Sequence, residues 1–542
     1  SIWQEVLKID QVGVNDHFFA LGGDSIKAIQ VSVRLYRQGF ELEPKNLFSF
    51  PILRDMVQFV KKLDHFSSSQ TNDVNIMNDN KATLLNIKDK QLNQQTLTKI
   101  QEKMPDIKIE RIYPLAPFQE VIYEHATNEP DTNAYFEQTI WALEGELDIK
   151  LFIQCFQQLV DRHDSLRTII VQDEQAKPWQ AVLYDVQINS EIKNLIEMTK
   201  QEQQEFLKQW MNENLSRGFK NDELMTRLCI FQLGNNEHKV IWSSHHLLCD
   251  GWSVSILIDE LFQLYETTNA GTTAELPMVK PFETFIDWTL AQDHEKARHF
   301  WRDYLSGYNQ KISIPKKKVP SKSEGLNFTF MDLTLDKDLT NQLQTFVTKN
   351  NITMNTALLA VWGILLGKFN GTREVVLPNL VSVRPPEVEG IENMFGLFTN
   401  VLPIRLAWTE TQSFVDFLQK VQLETLKCNE YAYYSFVDIQ KQSELKTELT
   451  DHLWVFENYP TNPAIFSSNE NRHFAITDYE VVDEPHVKYG IMCFPEEKLT
   501  IKFGYDQTVY EAEKIQEILN HIHGLINTIL QNPIQTICDY KL

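Results

Sequence analysis

The sequence predicts a multidomain protein: a small all-α unit over residues 1–63, then a two-lobed α/β region. Three observations predict it. At 542 residues the chain is too long for one ordinary core. Apolar residues recur at helical spacing up to Leu63, whereas strand and helix periods mix beyond Ile112. Between these parts lies a polar stretch, 64–108, in which Ser67-Ser68-Ser69-Gln70-Thr71-Asn72-Asp73 has the composition of a flexible linker.

The first unit is read from two helical stretches. Ile26, Ile29, Val33 and Tyr36 share one face. Pro51 precedes a second stretch, with Met56, Phe59, Val60 and Leu63 on one side. The end of the linker, Gln91 to Met104, has the spacing of a short amphipathic helix. Later helical patterns run from Ile149 to Arg162, Val254 to Tyr265, Ala291 to Tyr304, Met354 to Lys368 and Glu511 to Leu530. Strand patterns cover Lys239–Ser244, Glu374–Leu380, Leu397–Leu406 and Leu499–Gly504. A break near 270–290 divides the region into lobes 109–280 and 281–542.

Charge and composition remove several classes of function. A net charge of −23 argues against nucleic acid and anionic membrane as partners. No apolar run is long enough to span a bilayer, and no signal peptide opens the chain. The six cysteines are scattered without metal-ligand spacing. They are expected as free thiols in a reducing cytoplasm, with no metal site. The chain opens within a helical pattern without a start Met, as a monomeric fragment cut from a longer polypeptide would.

Two motifs carry chemistry. In Leu21-Gly22-Gly23-Asp24-Ser25-Ile26 the glycines allow a tight, uncrowded loop, and Ser25 stands at a helix start. A helix N-terminus favours an anion such as a phosphodiester. Read alone, Ser25 is only an N-cap. The second motif is His245-His246-Leu247-Leu248-Cys249-Asp250-Gly251, after the apolar strand Val240-Ile241-Trp242-Ser243-Ser244. Continued alternation puts His246 on the face of Val240, Trp242 and Ser244, with His245 on the other. A histidine here suits general base work because imidazole titrates near neutrality.

The segment Asp16-His17-Phe18-Phe19-Ala20-Leu21-Gly22-Gly23-Asp24-Ser25-Ile26-Lys27-Ala28 resembles the phosphopantetheine attachment motif of peptidyl carrier proteins. The resemblance implies a four-helix bundle over 1–63, with 4'-phosphopantetheine carried covalently on Ser25. Asp24 before the serine is a variant that in this family often precedes epimerisation domains. The string His245 to Gly251 resembles the HHxxxDG motif of nonribosomal peptide synthetase condensation domains, relatives of chloramphenicol acetyltransferase. Supporting strings follow in family order. They are Tyr113-Pro114-Leu115-Ala116-Pro117-Phe118-Gln119, Arg162-His163-Asp164-Ser165-Leu166-Arg167-Thr168, the weaker Phe285-Ile286-Asp287-Trp288, Gly396-Leu397-Phe398-Thr399-Asn400-Val401-Leu402-Pro403-Ile404-Arg405 and Val455-Phe456-Glu457-Asn458-Tyr459-Pro460. Val121, Val383, Phe395 and Thr399 depart from the common pattern and bear on the channel lining.

What this resemblance implies is an acetyltransferase-like V of two lobes around a channel, with His246 near its middle. His246 is then the catalytic position, with His245 beside it and Asp250 and Gly251 completing the motif. Asp250 pairs with Arg384, and Asn400 lies near the channel. His163 and Arg167 order the first lobe. The implied reaction joins a donor acyl thioester held at Ser25 to the amine of an aminoacyl thioester on a downstream carrier. Neighbouring adenylation domains and a phosphopantetheinyl transferase are the other implied partners, in antibiotic-type peptide biosynthesis. Two alternatives share the motif: a carrier–epimerisation pair, and an inactive condensation-like platform that recruits partners. No Glu-Gly-His-Gly-Arg-like string supports the first, and His246 and Gly251 are both kept, against the second.

Overall fold

The computed structural model describes residues 1–63, 93–128, 134–219, 223–317, 327–459, 473–483 and 487–540. The Ser67–Asp73 run of the expected linker lies outside the described residues.

Four short helices carry the first unit: α1 (Ile2–Leu7), α2 (Ser25–Arg37), α3 (Pro44–Ser49) and α4 (Leu53–Met56). They close on Trp3, Phe18, Phe19, Val31, Leu47 and Met56. The unit is not wholly α, because β1 (Phe40–Glu41) pairs antiparallel with β2 (Lys61–Lys62). That ladder ties the exit of the unit back to the end of α2.

Residues 93–103 form helix α5. Leu97, Ile100 and Met104 pack with Ile109, Ile169 and Trp179. The end of the expected flexible linker is therefore a docked element, because its apolar stripe finds a sheet to cover. That sheet has the order β3 (Ile109–Tyr113), β6 (Pro178–Leu183), β5 (Thr168–Gln172).

The first lobe continues with α6 (Pro117–Asn128), β4 (Phe136–Gly145), α7 (Ile149–Arg162), β7 (Asn189–Asn194), α8 (Lys200–Arg217), β8 (Thr226–Gln232), β9 (Glu237–His245) and α9 (Gly251–Asn269). Helix α7 matches its sequence pattern. Asp148 caps it by accepting from Lys150 N and Leu151 N, and Phe152, Cys155, Phe156, Leu159 and Val160 form its buried stripe.

The second lobe holds α10 (Glu283–Leu290), α11 (His294–Leu305), β10 (Phe328–Thr334), α12 (Lys337–Lys349), α13 (Met354–Asn370), β11 (Glu374–Ser382), β12 (Thr399–Ala407), α14 (Phe414–Asn429), α15 (Phe436–Gln442), β13 (Leu453–Phe456), β14 (Phe474–Asp483), β15 (Tyr489–Pro495), β16 (Leu499–Asp506) and α16 (Ala512–Gln531). Its sheet runs β10-β16-β15-β13-β11-β12. Among the described residues no single helix is long and apolar enough to cross a membrane. Helix α13 is apolar because it is buried from Thr356 to Gly367 within the lobe.

The chain does not divide cleanly at 280. Strand β14 leaves the second lobe and joins the first lobe's sheet, in the order β14-β4-β9-β8-β7. Phe474 and Ile476 then lie in the first lobe's core. A strand-period pattern sets which side chains face a core, not which sheet receives them.

The first unit sits against the second lobe. Val33 of α2 is 1% exposed within that lobe's cluster, and Leu426 packs on the first unit. Arg37 meets Glu392 at 2.6 Å, Lys45 meets Glu430 at 2.7 Å, and His17 Nε2 bonds Asn351 Oδ1 at 2.7 Å.

Candidate active site at the lobe junction

Strand β9 ends at His245, so His246 lies in the turn that follows and not on the strand face. The turn is held at each position. His246 N–H donates to Tyr135 O at 2.8 Å, and Leu248 N–H to His245 O at 2.9 Å. His246 Nδ1 donates to Cys249 O at 2.9 Å, which leaves Nε2 as the basic nitrogen of the ring. His245 plays a different part. Its Nδ1 accepts Leu247 N–H at 3.2 Å, and burial, then the neighbouring His246, pushes its pKa down to about 3. It is neutral at physiological pH, and its bonds serve the turn.

Asp250 ends the turn and caps α9. Its Oδ1 accepts from Ser253 N and Ser253 Oγ, both at 2.8 Å, and its Oδ2 from Phe398 N at 3.1 Å. Arg384 Nη2 reaches the same Oδ1 at 3.2 Å, so the structure makes the expected pair, with side chains 0% and 1% exposed. Arg384 also donates to Ile391 O at 2.6 Å, Met394 O at 3.1 Å and Ser253 Oγ at 3.1 Å. Its guanidinium lies 3.9 Å from the Phe398 ring centre and 4.6 Å from that of Trp252. Burial lowers the Arg384 pKa, and the Asp250 carboxylate opposes that shift. Ser253 Oγ also lies 2.7 Å from Gly396 O, its one proton shared between that carbonyl and Asp250 Oδ1, and it accepts from Gly396 N at 3.1 Å. These bonds fasten the histidine turn of the first lobe to the 384–398 loop of the second.

Gly251 is required by close approach. A Cβ there would stand 2.3 Å from Tyr459 Cε2. Asn400 does not turn to the histidine. Its Nδ2 donates to Ala432 O and Tyr434 O at 2.7 and 2.9 Å, and its Oδ1 accepts Val401 N–H. His163 and Arg167 lie in the first lobe, the former on Glu260 at 2.7 Å, the latter on Glu110 at 2.6 Å and Asp164 at 2.7 Å.

Sequence reasoning gave no role to Glu457 and Tyr459, which follow β13. Tyr459 lies against Gly251, and burial pushes the Glu457 carboxyl up to about 7, with Tyr459 and His246 opposing that rise. The available signal was the acidic residue that interrupts Trp454-Val455-Phe456 at a strand end.

The other motif lies at the start of α2. Asp24 caps the helix, its Oδ1 accepting Lys27 N–H at 2.8 Å. Gly22 has φ +85°, with open space where a Cβ would be, while a Cβ on Gly23 would meet Phe18 at 2.4 Å. Lys27 Nζ donates to Gly22 O at 2.6 Å, placing a cation on the loop. An uncrowded loop, a helix N-terminus and a nearby ammonium fit a phosphodiester on the first residue of α2.

A small, mainly helical unit precedes a two-lobed α/β domain whose histidine turn is locked across the lobe junction. The comparisons name the family. Residues 109–542 match the condensation domain, and 1–60 match the phosphopantetheine attachment site. The chain belongs to the condensation-domain family of nonribosomal peptide synthetases, with its carrier domain attached. Bacitracin synthase 3 of Bacillus licheniformis is 32% identical over 437 residues, 80% of this chain and 7% of that protein. Tyrocidine synthase 2 of Brevibacillus parabrevis is 33% identical over 438 residues, 80% of this chain and 12% of that protein. The chain thus spans a small part of the curated relatives it matches. Among solved structures, a four-domain nonribosomal peptide synthetase bound to AMP and glycine has TM-score 0.67 at 15% identity, over 80% of this chain and 34% of that one. The first condensation domain of the calcium-dependent antibiotic synthetase has TM-score 0.63 at 17% identity, over 80% of this chain and all of that one.

Proposed function

We propose that this chain forms a peptide bond between a donor acyl group carried at Ser25 and the amine of an aminoacyl group on a downstream carrier. The observation that carries the reading is His246. Its Nδ1–H is committed to Cys249 O, so Nε2 presents a base, on a turn that Asp250 and Arg384 lock to the second lobe.

The phosphopantetheine arm, when attached, supplies a thioester that holds and activates the acyl group. The chain's residues supply position and proton transfer. His246 Nε2 accepts a proton from the attacking amine. His245 stays neutral and shapes the turn. Asp250, Arg384 and Ser253 hold both lobes in register, which fixes the distance over which the amine must travel. Gly251 leaves room for Tyr459. Asn400 steadies the start of β12.

Domains 1–63, 109–280 and 281–542 would act as carrier and two lobes, with residues 64–108 as the connection. A phosphopantetheinyl transferase would load Ser25, adenylation domains would charge the carriers, and a cytoplasmic setting suits the free thiols. Epimerisation, raised by Asp24, is not favoured, since the family model matching 109–542 is that of the condensation domain.

The test loads Ser25 with a peptidyl arm in L and D forms, adds an aminoacyl downstream carrier and follows both by intact-protein mass spectrometry. Transfer that His246→Ala abolishes is expected. Inversion of the loaded residue without transfer, or transfer unaffected by His246→Ala, refutes the reading.

A further inference from the structure

His246 works through a ring whose direction is set by the turn that bears it, and that turn is held by its carbonyls as well as by its N–H groups. His245 O accepts from Leu248 N–H and Cys249 O from the His246 ring, so both bonds close within the turn. Leu247 O is held from elsewhere. Gln119 Nε2 donates to it at 2.6 Å, from 128 residues away in sequence.

Gln119 reaches the turn because of where it stands on α6. It is the third residue of that helix, and its Oε1 accepts from Ala116 N–H at 2.7 Å, the reach of a glutamine back to a helix start. That bond fixes the amide's orientation, since an NH2 facing Ala116 N–H would set donor against donor. Both Nε2 protons therefore point away from the helix start. One goes to Leu247 O and the other to Gln180 Oε1 at 2.9 Å, and Gln180 Nε2 donates in turn to Pro114 O at 2.9 Å. Gln119 and Gln180 are 2% and 1% exposed. At such burial a lost partner is not replaced by bulk water, so the amide relay has one low-energy arrangement. It ties the Leu247 carbonyl to the start of α6 and to β6 of the small sheet. Tyr135, just before β4, holds the His246 N–H, and Arg384 holds Asp250 from the second lobe. The middle of the turn has its anchor in Gln119.

We propose that Gln119 is a positioning residue of the condensation site: by fixing the Leu247 carbonyl it sets the peptide plane after Leu247, and with it the direction in which His246 Nε2 meets the attacking amine. This rests on the condensation reading above. Gln119 takes no proton in the reaction. Without its bond the peptide between Leu247 and Leu248 is free to rotate and Cys249 O moves with it. The His246 ring follows, because its Nδ1 donates to that carbonyl.

Two measurements test it. The first compares Gln119→Met with Gln203→Met. Gln203 of α8 is a buried glutamine of the same kind, 3% exposed, whose Nε2 donates to Leu195 O and Leu233 O, both at 2.9 Å. It controls for the general cost of removing a buried amide. Circular dichroism checks folding, and transfer from loaded Ser25 is followed over a range of downstream carrier concentrations. Gln119→Met should lower the maximal rate by about 10–100-fold and leave the half-saturating concentration unchanged, since misplacing a reacting group by about 1 Å costs up to about 100-fold. Gln203→Met should transfer like the parent. Equal losses in the two variants, no loss in Gln119→Met, or a loss confined to the half-saturating concentration overturns the proposal. The second needs neither arm nor substrate: nitrogen NMR of histidine-labelled apo protein, with the His246 signals assigned by His246→Ala. They should shift in Gln119→Met, shift less in Gln180→Met and stay in place in Gln203→Met. Signals that do not move, or that Gln203→Met moves as far, overturn the proposal even where transfer falls, and Gln180→Met gives that reading should Gln119→Met fail to fold. Absent transfer in the parent protein, with the signals shifting as expected, would instead count against the condensation reading.

Discussion

Replacing Asp250 by Asn tests whether the lobe junction acts as one electrostatic unit. The carboxylate accepts four hydrogen bonds: two from Ser253, one from Arg384 and one from Phe398 N–H. Asn keeps one acceptor oxygen and sets an NH2 against at least one of those donors. It also leaves the Arg384 guanidinium, 0% exposed, without its paired carboxylate. Breaking such a pair costs about 3–5 kcal/mol, because an uncompensated charge stays out of water. Arg384→Met costs about 3 kcal/mol, at the low end of that range, since Asp250 retains three donors. The double variant removes both charges and should cost no more than the worse single one, a coupling of at least about 3 kcal/mol. Urea unfolding of the four proteins, followed by far-ultraviolet circular dichroism, gives the cycle. Transfer should fall in both single variants, because Asp250 caps α9 and ends the His246 turn. If the two single costs simply add in the double variant, the pair is not a unit and the reasoning fails.

Gly251→Ala should destabilise by about 1–3 kcal/mol through overpacking and displace Tyr459, seen as lower transfer with His246 intact. Arg37→Glu should unseat the carrier, because Glu392 is only 13% exposed and would face a like charge. A short bis-maleimide cross-link between His17→Cys and Asn351→Cys should then form in lower yield. Lys45→Ala, at a pair 37% and 45% exposed, should change that yield little, the pair contributing less than about 1 kcal/mol. Glu457 also gives a stability test. Its folded pKa of about 7 lies above the ordinary 4.5, so its contribution is complete below pH 4.5 and is lost as pH rises through 7. The unfolding midpoint of the parent should therefore fall, relative to Glu457→Gln, between pH 5 and 8.

The sequence by itself determined the local elements and the order of the motifs. The α7 stripe and its Asp148 cap are written in adjacent residues, so Ile149–Arg162 was legible to the residue. The apolar strand before His245 and the glycine loop before Ser25 are equally local. Even the Asp250–Arg384 pair was reachable, but only through a resemblance, since 134 residues separate its members. Tertiary structure decided what depends on neighbours distant in sequence. It placed His246 in a turn rather than on the strand face, because β9 stops at His245 and His246 N–H turns to Tyr135 O. It sent β14 into the other lobe's sheet, and turned Asn400 to the carbonyls of Ala432 and Tyr434. It also laid Tyr459 against Gly251 and raised the pKa of Glu457. Periodicity records which face of an element is buried, whereas the partner of a polar side chain and the pKa of a carboxylate are set by groups that only folding brings together.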